Sequence, residues 1–233
     1  MNKSMMGTTN DMFTTEEKLD YIYSLETRNS LSEDEWTCLG TLFVDKDVEV
    51  RYSVAELLAL FPSVRSEQML LERLGDSNRL VRACICDSLA FSTSHTTLEK
   101  LKYAAGDRVG LVRGYAVLSI ADVQLNMEFY SQETIEFLKE LEKRELNSWV
   151  RIAVFRSLFL LGEYTYGQKL LSMVGDKSYK NRSAALSMLE ELLENPIVSY
   201  LPNLTEVLKQ QLSVEKAYAV KLKLSRIIEK ISA

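Results

Sequence analysis

The residue types that most often carry catalysis are scarce in this sequence. His95 is the only histidine, so a metal site built from several histidines is excluded. Cys84 and Cys86 are two residues apart and point to different sides of a helix, and Cys38 is distant in the chain. A serine nucleophile would need His95 as its base, and no Gly-x-Ser-x-Gly turn or glycine-rich phosphate loop occurs. The sequence therefore predicts no catalytic residue, no metal site, no cofactor and no enzymatic activity, and it treats the cysteines as small core residues.

Composition and charge restrict the class of partner. With 9 glycines and 3 prolines among 233 residues, the chain favours helix. Its net charge is −5, and residues 1–60 carry five Lys or Arg against twelve Asp or Glu. An acidic chain is a poor match for a phosphate backbone, so we expect no nucleic-acid partner. The apolar runs are too short to span a bilayer and there is no signal-peptide core, so we expect no membrane contact. An odd cysteine count favours a cytoplasmic protein. We also expect a monomer, with residues 1–12 disordered.

One short pattern recurs along the chain. Arg51, Arg82, Arg113, Arg151 and Arg182 are separated by 31, 31, 38 and 31 residues, and an acid stands six positions before each. A sixth copy keeps that spacing with Glu215 and Lys221. Valine directly precedes the basic residue in five of the six copies, and Leu or Ile follows it by seven in all six. A fixed period of this length is typical of stacked repeats.

Each repeat is predicted to consist of two helices. An amphipathic segment precedes the acid, and a second helix starts near the Val-Arg pair with apolar residues at helical spacing. Neither helix can bury its apolar stripe alone, so neighbouring repeats must stack. The glycines Gly75, Gly106 and Gly175 are expected as left-handed helix ends. We predict that the acids and bases form a structural ladder between neighbouring repeats: Asp45, Arg51, Asp76, Arg82, Asp107, Arg113, Glu145, Arg151, Asp176 and Arg182.

The pattern resembles HEAT repeats in the short form of bacterial and phycobilisome-lyase-type proteins. The matching features are the acid-x5-Arg register, the preceding Val, the small residues after Arg and the later Leu, over roughly residues 32–231. The resemblance implies an all-α fold, a right-handed α-solenoid of about six HEAT-like helix pairs. The segment "TTEEKLDYIYSLETR" would add a capping helix at its N-terminal end. We expect one domain over residues 13–233.

Enzymes with this architecture leave different traces in a sequence. HEAT-like DNA glycosylases have a basic groove, and deoxyhypusine hydroxylases have repeated His-Glu pairs; neither trace is present here. Phycobilin lyases share the repeat, and no residue here excludes or supports that chemistry.

The resemblance also implies a concave face lined by the second helix of each pair. Positions one, five and nine after the basic residue avoid the apolar stripe, yet several carry large apolar side chains. Adjacent exposed apolar groups are typical of an interface. The predicted partner-binding residues are Tyr52, Glu56, Leu60, Asp87, Phe91, Leu118, Ile152, Arg156 and Leu160.

Two classes of function remain open from the sequence. The first is a module that binds a partner protein in its concave groove, with an immunity or sequestering protein for a basic toxin as the concrete version. The alternative is a small-molecule lyase of the bilin type, or a chaperone-like HEAT protein. The sequence does not identify the partner.

Overall fold

The computed structural model describes residues 13–128 and 131–232, so the expected disorder of residues 1–12 lies outside the described residues. Within these ranges the chain is all-α and has no strand. The thirteen α-helices are α1 (Thr15–Leu25), α2 (Glu33–Leu42), α3 (Val48–Ala59), α4 (Val64–Arg73), α5 (Arg79–Ser88), α6 (His95–Ala104), α7 (Gly110–Asn126), α8 (Gln132–Arg144), α9 (Ser148–Leu160), α10 (Thr165–Ser172), α11 (Tyr179–Leu192), α12 (Leu204–Val214) and α13 (Tyr218–Ser232). Short 3-10 segments cover Leu89–Phe91, Met173–Gly175 and Pro196–Tyr200.

The helices form the predicted pairs, α2 with α3 through α12 with α13, preceded by α1. This confirms an all-α repeat fold of the α-solenoid class. The chain divides into two compact units, Met1–Met127 and Glu128–Ala233. In the first unit the second helices α3, α5 and α7 pack on one another in sequence, and α1 packs on α3. In the second unit α9, α11 and α13 pack in the same succession. The expectation of a single domain stays a prediction.

The repeated apolar positions build the core. The valines that precede the base are fully or almost fully buried in the five helices that have one. Leu58, Leu89, Ile120, Leu158 and Leu189, seven residues after the base, are also fully buried. Both positions face the same side of the second helix, because seven or eight residues make two turns. The repeat pattern therefore marks the stripe that the stacking buries.

The turn between the helices of a pair is closed by its acid. Each acid accepts a hydrogen bond from the backbone amide two residues later, over 2.7–2.8 Å, in all six copies: Asp45, Asp76, Asp107, Glu145, Asp176 and Glu215. In three copies the residue two positions after the acid caps the second helix with its side chain: Asp47, Asn78 and Asn147. The acid thus shapes the turn, and the helix cap is a different residue.

The glycines expected as left-handed helix ends do not adopt that conformation. Gly75, Gly106 and Gly175 lie outside the left-handed region, and only Gly162 has a positive φ, 92°, among the described glycines. The helices α4 and α6 end on Leu74 and Ala105 in right-handed conformation instead. The N-caps of the helices that follow, Asn78 and Val109, are extended, and neither turn contains a residue with positive φ.

Two bases of the first unit, Arg51 and Arg82, reach into the next repeat. Arg51 Nε and Nη2 donate to the Asp76 carboxylate over 2.7 and 3.0 Å, and Arg51 Nη1 donates to the Asp45 carbonyl over 2.8 Å. Arg82 repeats this geometry with Asp107, at 2.8 and 3.1 Å. Lys18 of α1 supplies the cation for Asp45, 2.6 Å away. One guanidinium therefore ties three segments: its own turn, its own helix and the turn of the next pair.

The second unit contains one such rung and one departure. Arg182 donates to Glu215 over 2.7 and 2.6 Å and to the Asp176 carbonyl over 2.8 Å. Arg151 does not bond to Asp176. Its guanidinium lies 5.4 Å from the Phe155 ring centroid and 3.8 Å from the Glu142 carboxylate. The Asp176 carboxylate instead accepts from the Asn181 amide over 3.0 Å, so the predicted ladder is corrected at this step.

The rung at Glu215 predicts an acid-labile contribution to stability. Hydrogen bonds from Arg182 are the main cause that lowers the pKa of Glu215 to about 2, against about 4.3 for an unperturbed Glu. Because the folded value is depressed, this contribution is present above about pH 4.3 and is lost as the pH falls towards 2. We expect Glu215→Gln to be less stable than the parent at pH 7 and equally stable near pH 2, as measured by urea unfolding across that range. Glu229→Gln, on an exposed position of α13, is the control and should show no such pH-dependent difference; the same trend in both variants would contradict the assignment.

Candidate functional site

The second helices of the first unit enclose a surface groove of about 240 Å³. It lies across α3, α5 and α7, on the helix faces that the stacking leaves open. Its lining mixes small, aromatic, aliphatic and acidic side chains: Tyr52, Glu56, Ala59, Leu80, Ala83, Cys84, Asp87, Ser88, Leu111 and Tyr115.

The floor of the groove is made by small residues of α5. Ala83, Cys84 and Ser88 are all buried, and their small side chains leave space between the helices above them. The Ser88 hydroxyl donates to the Ala55 carbonyl of α3 over 2.9 Å, and the Cys84 sulfur lies 3.8 Å from the Tyr52 carbonyl. These bonds join α5 to α3, so the floor is a fixed part of the stack.

The rim of the groove is acidic. Glu56 on α3 and Asp87 on α5 are exposed, and the Tyr52 hydroxyl donates to Glu56 Oε1 over 3.1 Å. Burial is the main cause that raises the pKa of Tyr52 above its ordinary value, and the Glu56 carboxylate adds to it. Burial likewise raises the pKa of the Cys84 thiol to about 12. At neutral pH both groups stay uncharged, so the negative charge of the groove sits on the carboxylates.

Three of the predicted partner-binding residues line this groove, namely Tyr52, Glu56 and Asp87. Leu60 is 57% exposed at the end of α3, outside the lining. Phe91 is half-buried in the 3-10 turn after α5. The structure thus brings together the acidic part of the predicted surface and one of its aromatic residues.

Three of the predicted residues are not on an open face, which is a correction. Leu118, Ile152 and Leu160 are only 7%, 0% and 9% exposed. Leu118 lies on α7, which packs against α5, α6 and the turn after α5, and the other two lie on α9, which packs against α8, α10 and α11. A step of four residues turns a helix about 40° past a full turn. Positions one, five and nine therefore do not share one face, and some of them turn into a neighbour.

Arg156, the remaining predicted residue, lies in the second unit. It is half-buried, and its guanidinium is 3.6 Å from the Glu191 carboxylate of α11. It is not among the residues that line the groove of the first unit.

Sequence reasoning missed the aliphatic and second aromatic part of the lining. Leu80 and Leu111 stand two residues before Arg82 and Arg113, and Tyr115 stands two residues after Arg113. Leu80 is 47% exposed although it is a large apolar side chain. The position two residues before the base could have indicated the aliphatic wall, because leucine occupies it in these two neighbouring repeats.

Other chemistry is not assembled in the described part of the chain. No three or more His, Cys, Asp or Glu side chains there are placed to hold a metal ion. Cys38, Cys84 and Cys86 are buried and form no disulfide. Over residues 13–128 and 131–232, no helix has the length and apolarity needed to cross a membrane.

Comparison with known proteins gives a family model and a fold. Residues 39–121 match the family model for HEAT repeats. No curated protein matches the chain by sequence. A chain in the complex of CpcE and CpcF of phycocyanin lyase from Nostoc sp. PCC7120 is similar, with 14% identity, a TM-score of 0.58, and coverage of 99% of this chain and 95% of that one. YibA of Escherichia coli is similar with 16% identity and a TM-score of 0.55, over 94% of this chain and 78% of that one. At such low identities, the TM-scores show a shared fold and assign no function.

The likeness to the lyase chain corrects one prediction. The absence of catalytic motifs led to the expectation that the chain is not an enzyme, and that expectation is wrong because a chain of a lyase complex has the same fold over almost its full length. This architecture is compatible with an enzymatic role that leaves no familiar motif, and the fold alone assigns no reaction.

Proposed function

Because residues 39–121 match the family model for HEAT repeats, we propose that the chain binds a partner protein along the open faces of α3, α5 and α7, and that the bound segment is basic. HEAT arrays present extended surfaces made by successive second helices, which suits binding of a protein segment. The observation that carries the proposal is the groove itself: an apolar floor and wall with Glu56 and Asp87 at the rim. Such a combination offers buried contact area together with charge that orients the partner.

The size of the groove favours a protein segment over a small molecule. Small-molecule sites usually enclose about 300–1,000 Å³, whereas this groove has about 240 Å³ and is open to solvent along one side. A partner that lies across several helices would use the groove for one or two of its side chains. Toxin immunity or sequestration of a basic enzyme would use the same acidic face and is the more specific version of this proposal.

The full-length likeness to a chain of the phycocyanin lyase complex supports a second candidate, a small-molecule role of the lyase type. A lyase role would leave a coloured ligand or product on the protein. A visible absorption band in the protein purified from its native cells would favour this candidate over the first.

Site-specific crosslinking tests the protein-binding proposal. A photoreactive phenylalanine at Leu80, on the groove wall, should give one discrete adduct in native cells. The same probe at Tyr103 should give none. Tyr103 is 84% exposed, but it lies outside the groove on α6, the first helix of its pair. The charge reversals Glu56→Lys and Asp87→Lys together should lower the yield of the adduct at least tenfold. When the crosslink is repeated in cell lysate, the loss should be largest at low salt, because salt screens exposed charges.

The matched control reverses two exposed acids outside the groove, Glu49 and Glu99. This control has the same net charge as the groove variant and should leave the adduct intact. An adduct that forms equally from Tyr103, or that persists in the groove variant, would contradict the proposal.

A further inference from the structure

We propose that the groove of α3, α5 and α7 receives a single arginine side chain of the partner protein, with its guanidinium at the Glu56 and Asp87 carboxylates. This inference rests on the proposed function and specifies what the partner must present. It assigns the groove the role of an arginine pocket within a larger protein interface.

The shape of the groove suits a long, unbranched side chain. Its floor consists of the buried residues Ala83, Cys84 and Ser88, so depth is available between the helices. Leu80 and Leu111 stand at one repeat spacing on α5 and α7 and supply an aliphatic wall. The three methylenes of an arginine can pack there while the charged end remains near the rim.

The charges of the lining fit one cation. Glu56 and Asp87 are the two acids of the lining, and the lining contains no Lys, Arg or His. Tyr52 holds the Glu56 carboxylate through its hydroxyl, 3.1 Å away. Because Tyr52 and Cys84 stay protonated at neutral pH, the two carboxylates carry all the negative charge of the lining.

The aromatic residues favour arginine over lysine. Tyr52 and Tyr115, both half-buried, line the groove from α3 and α7. A planar guanidinium stacks on aromatic faces and donates to two acceptors at once, whereas an ammonium is a compact and strongly hydrated charge. A pocket with two phenol rings and two carboxylates therefore discriminates between these cations by shape.

Short peptides test the pocket on the full chain. The probe is the capped tripeptide Gly-Arg-Gly, titrated into protein whose tyrosine rings are labelled with 13C, with NMR shifts as the readout. We expect saturable shifts of Tyr52 and Tyr115, with dissociation constants in the millimolar range for so small a ligand. The lysine peptide should bind at least threefold more weakly, and the citrulline peptide, which has the same shape without the charge, should not bind.

Conservative variants define the site. Glu56→Gln with Asp87→Asn should weaken binding of the arginine peptide at least tenfold without changing the melting temperature, since both side chains are exposed. Glu49→Gln with Glu99→Gln is the matched control and should bind like the parent. Equal binding of the citrulline peptide, or no shift of Tyr52 and Tyr115 with the arginine peptide, would overturn the proposal.

The two proposals fail separately. A crosslink from Leu80 that requires Glu56 and Asp87, together with no binding of the arginine peptide, would leave the protein interface standing and exclude the arginine pocket. Binding of the peptide without any crosslinked partner would support the pocket and contradict the proposed interface.

Discussion

Replacement of Arg51 by alanine is expected to lower the free energy of unfolding by about 3–5 kcal/mol, the cost of removing one partner from a buried ion pair. The side chains of Arg51 and Asp76 are only 8% and 2% exposed. The variant would leave the Asp76 carboxylate buried without its cation, and it would also remove the bond to the Asp45 carbonyl. Urea unfolding of the full chain at pH 7 measures the change.

Two further variants make this result interpretable. Arg65→Ala breaks an exposed pair with Glu33, whose side chain is 85% exposed, and should cost about 1 kcal/mol or less. Asp76→Asn combined with Arg51→Ala should recover part of the loss, since the uncompensated buried charge is then absent while the amide oxygen can still accept from the Asn78 amide. A loss below 1 kcal/mol for Arg51→Ala would show that the rung does not stabilise the stack.

Replacement of Gly167 by valine is expected to destabilise the second unit by about 2–3 kcal/mol, because the site has no room for a side chain. A Cβ at Gly167 of α10 would stand 2.6 Å from Leu201 Cδ2 and 2.7 Å from Phe159 Cε2. Phe159 is fully buried and Leu201 is 5% exposed, so neither side chain can move aside without opening the core. The change is measured as a shift of the urea midpoint or the melting temperature.

A glycine with free space provides the control of opposite sign. Gly40 lies in α2, and an added Cβ would have no atom within 4 Å beyond its chain neighbours and the backbone of its own helix. Gly40→Ala should therefore stabilise the protein by about 0.5–1 kcal/mol, through helix propensity and a less flexible unfolded chain. If both substitutions changed stability in the same direction, close packing at Gly167 would not be the cause.

The departure of Arg151 from the ladder has a visible sequence correlate. Asn181 occupies the position before the base at which the other five repeats carry valine. Its amide reaches the Asp176 carboxylate of its own turn, and Arg151 lies instead against Phe155 and Glu142. The sequence shows the irregular residue. Only the structure shows that the Asn181 amide, and not the Arg151 guanidinium, lies within bonding distance of the Asp176 carboxylate.

The sequence by itself determined the repeat period, the helix pairs and the apolar stripe of each second helix. These features are local, since each repeat contacts only its neighbours and the same acid, base and aliphatic positions recur in every copy. The turn-closing acids and the bases that bond to the following repeat, Arg51, Arg82 and Arg182, belong to the same short-range pattern. Helical periodicity and turn chemistry were enough to locate them.

Only the tertiary structure decided which side chains remain open to a partner. Leu118 and Ile152 share the apolar character of an exposed row but are covered by neighbouring helices, while Leu80 and Tyr115, outside that row, line the groove. The physical reason is that a helix face is open or closed according to the angle and distance of the helices beside it. A small rotation of one helix moves a row of side chains from solvent into the core. The sequence of a single repeat does not determine that rotation, because it depends on how the neighbouring helices pack.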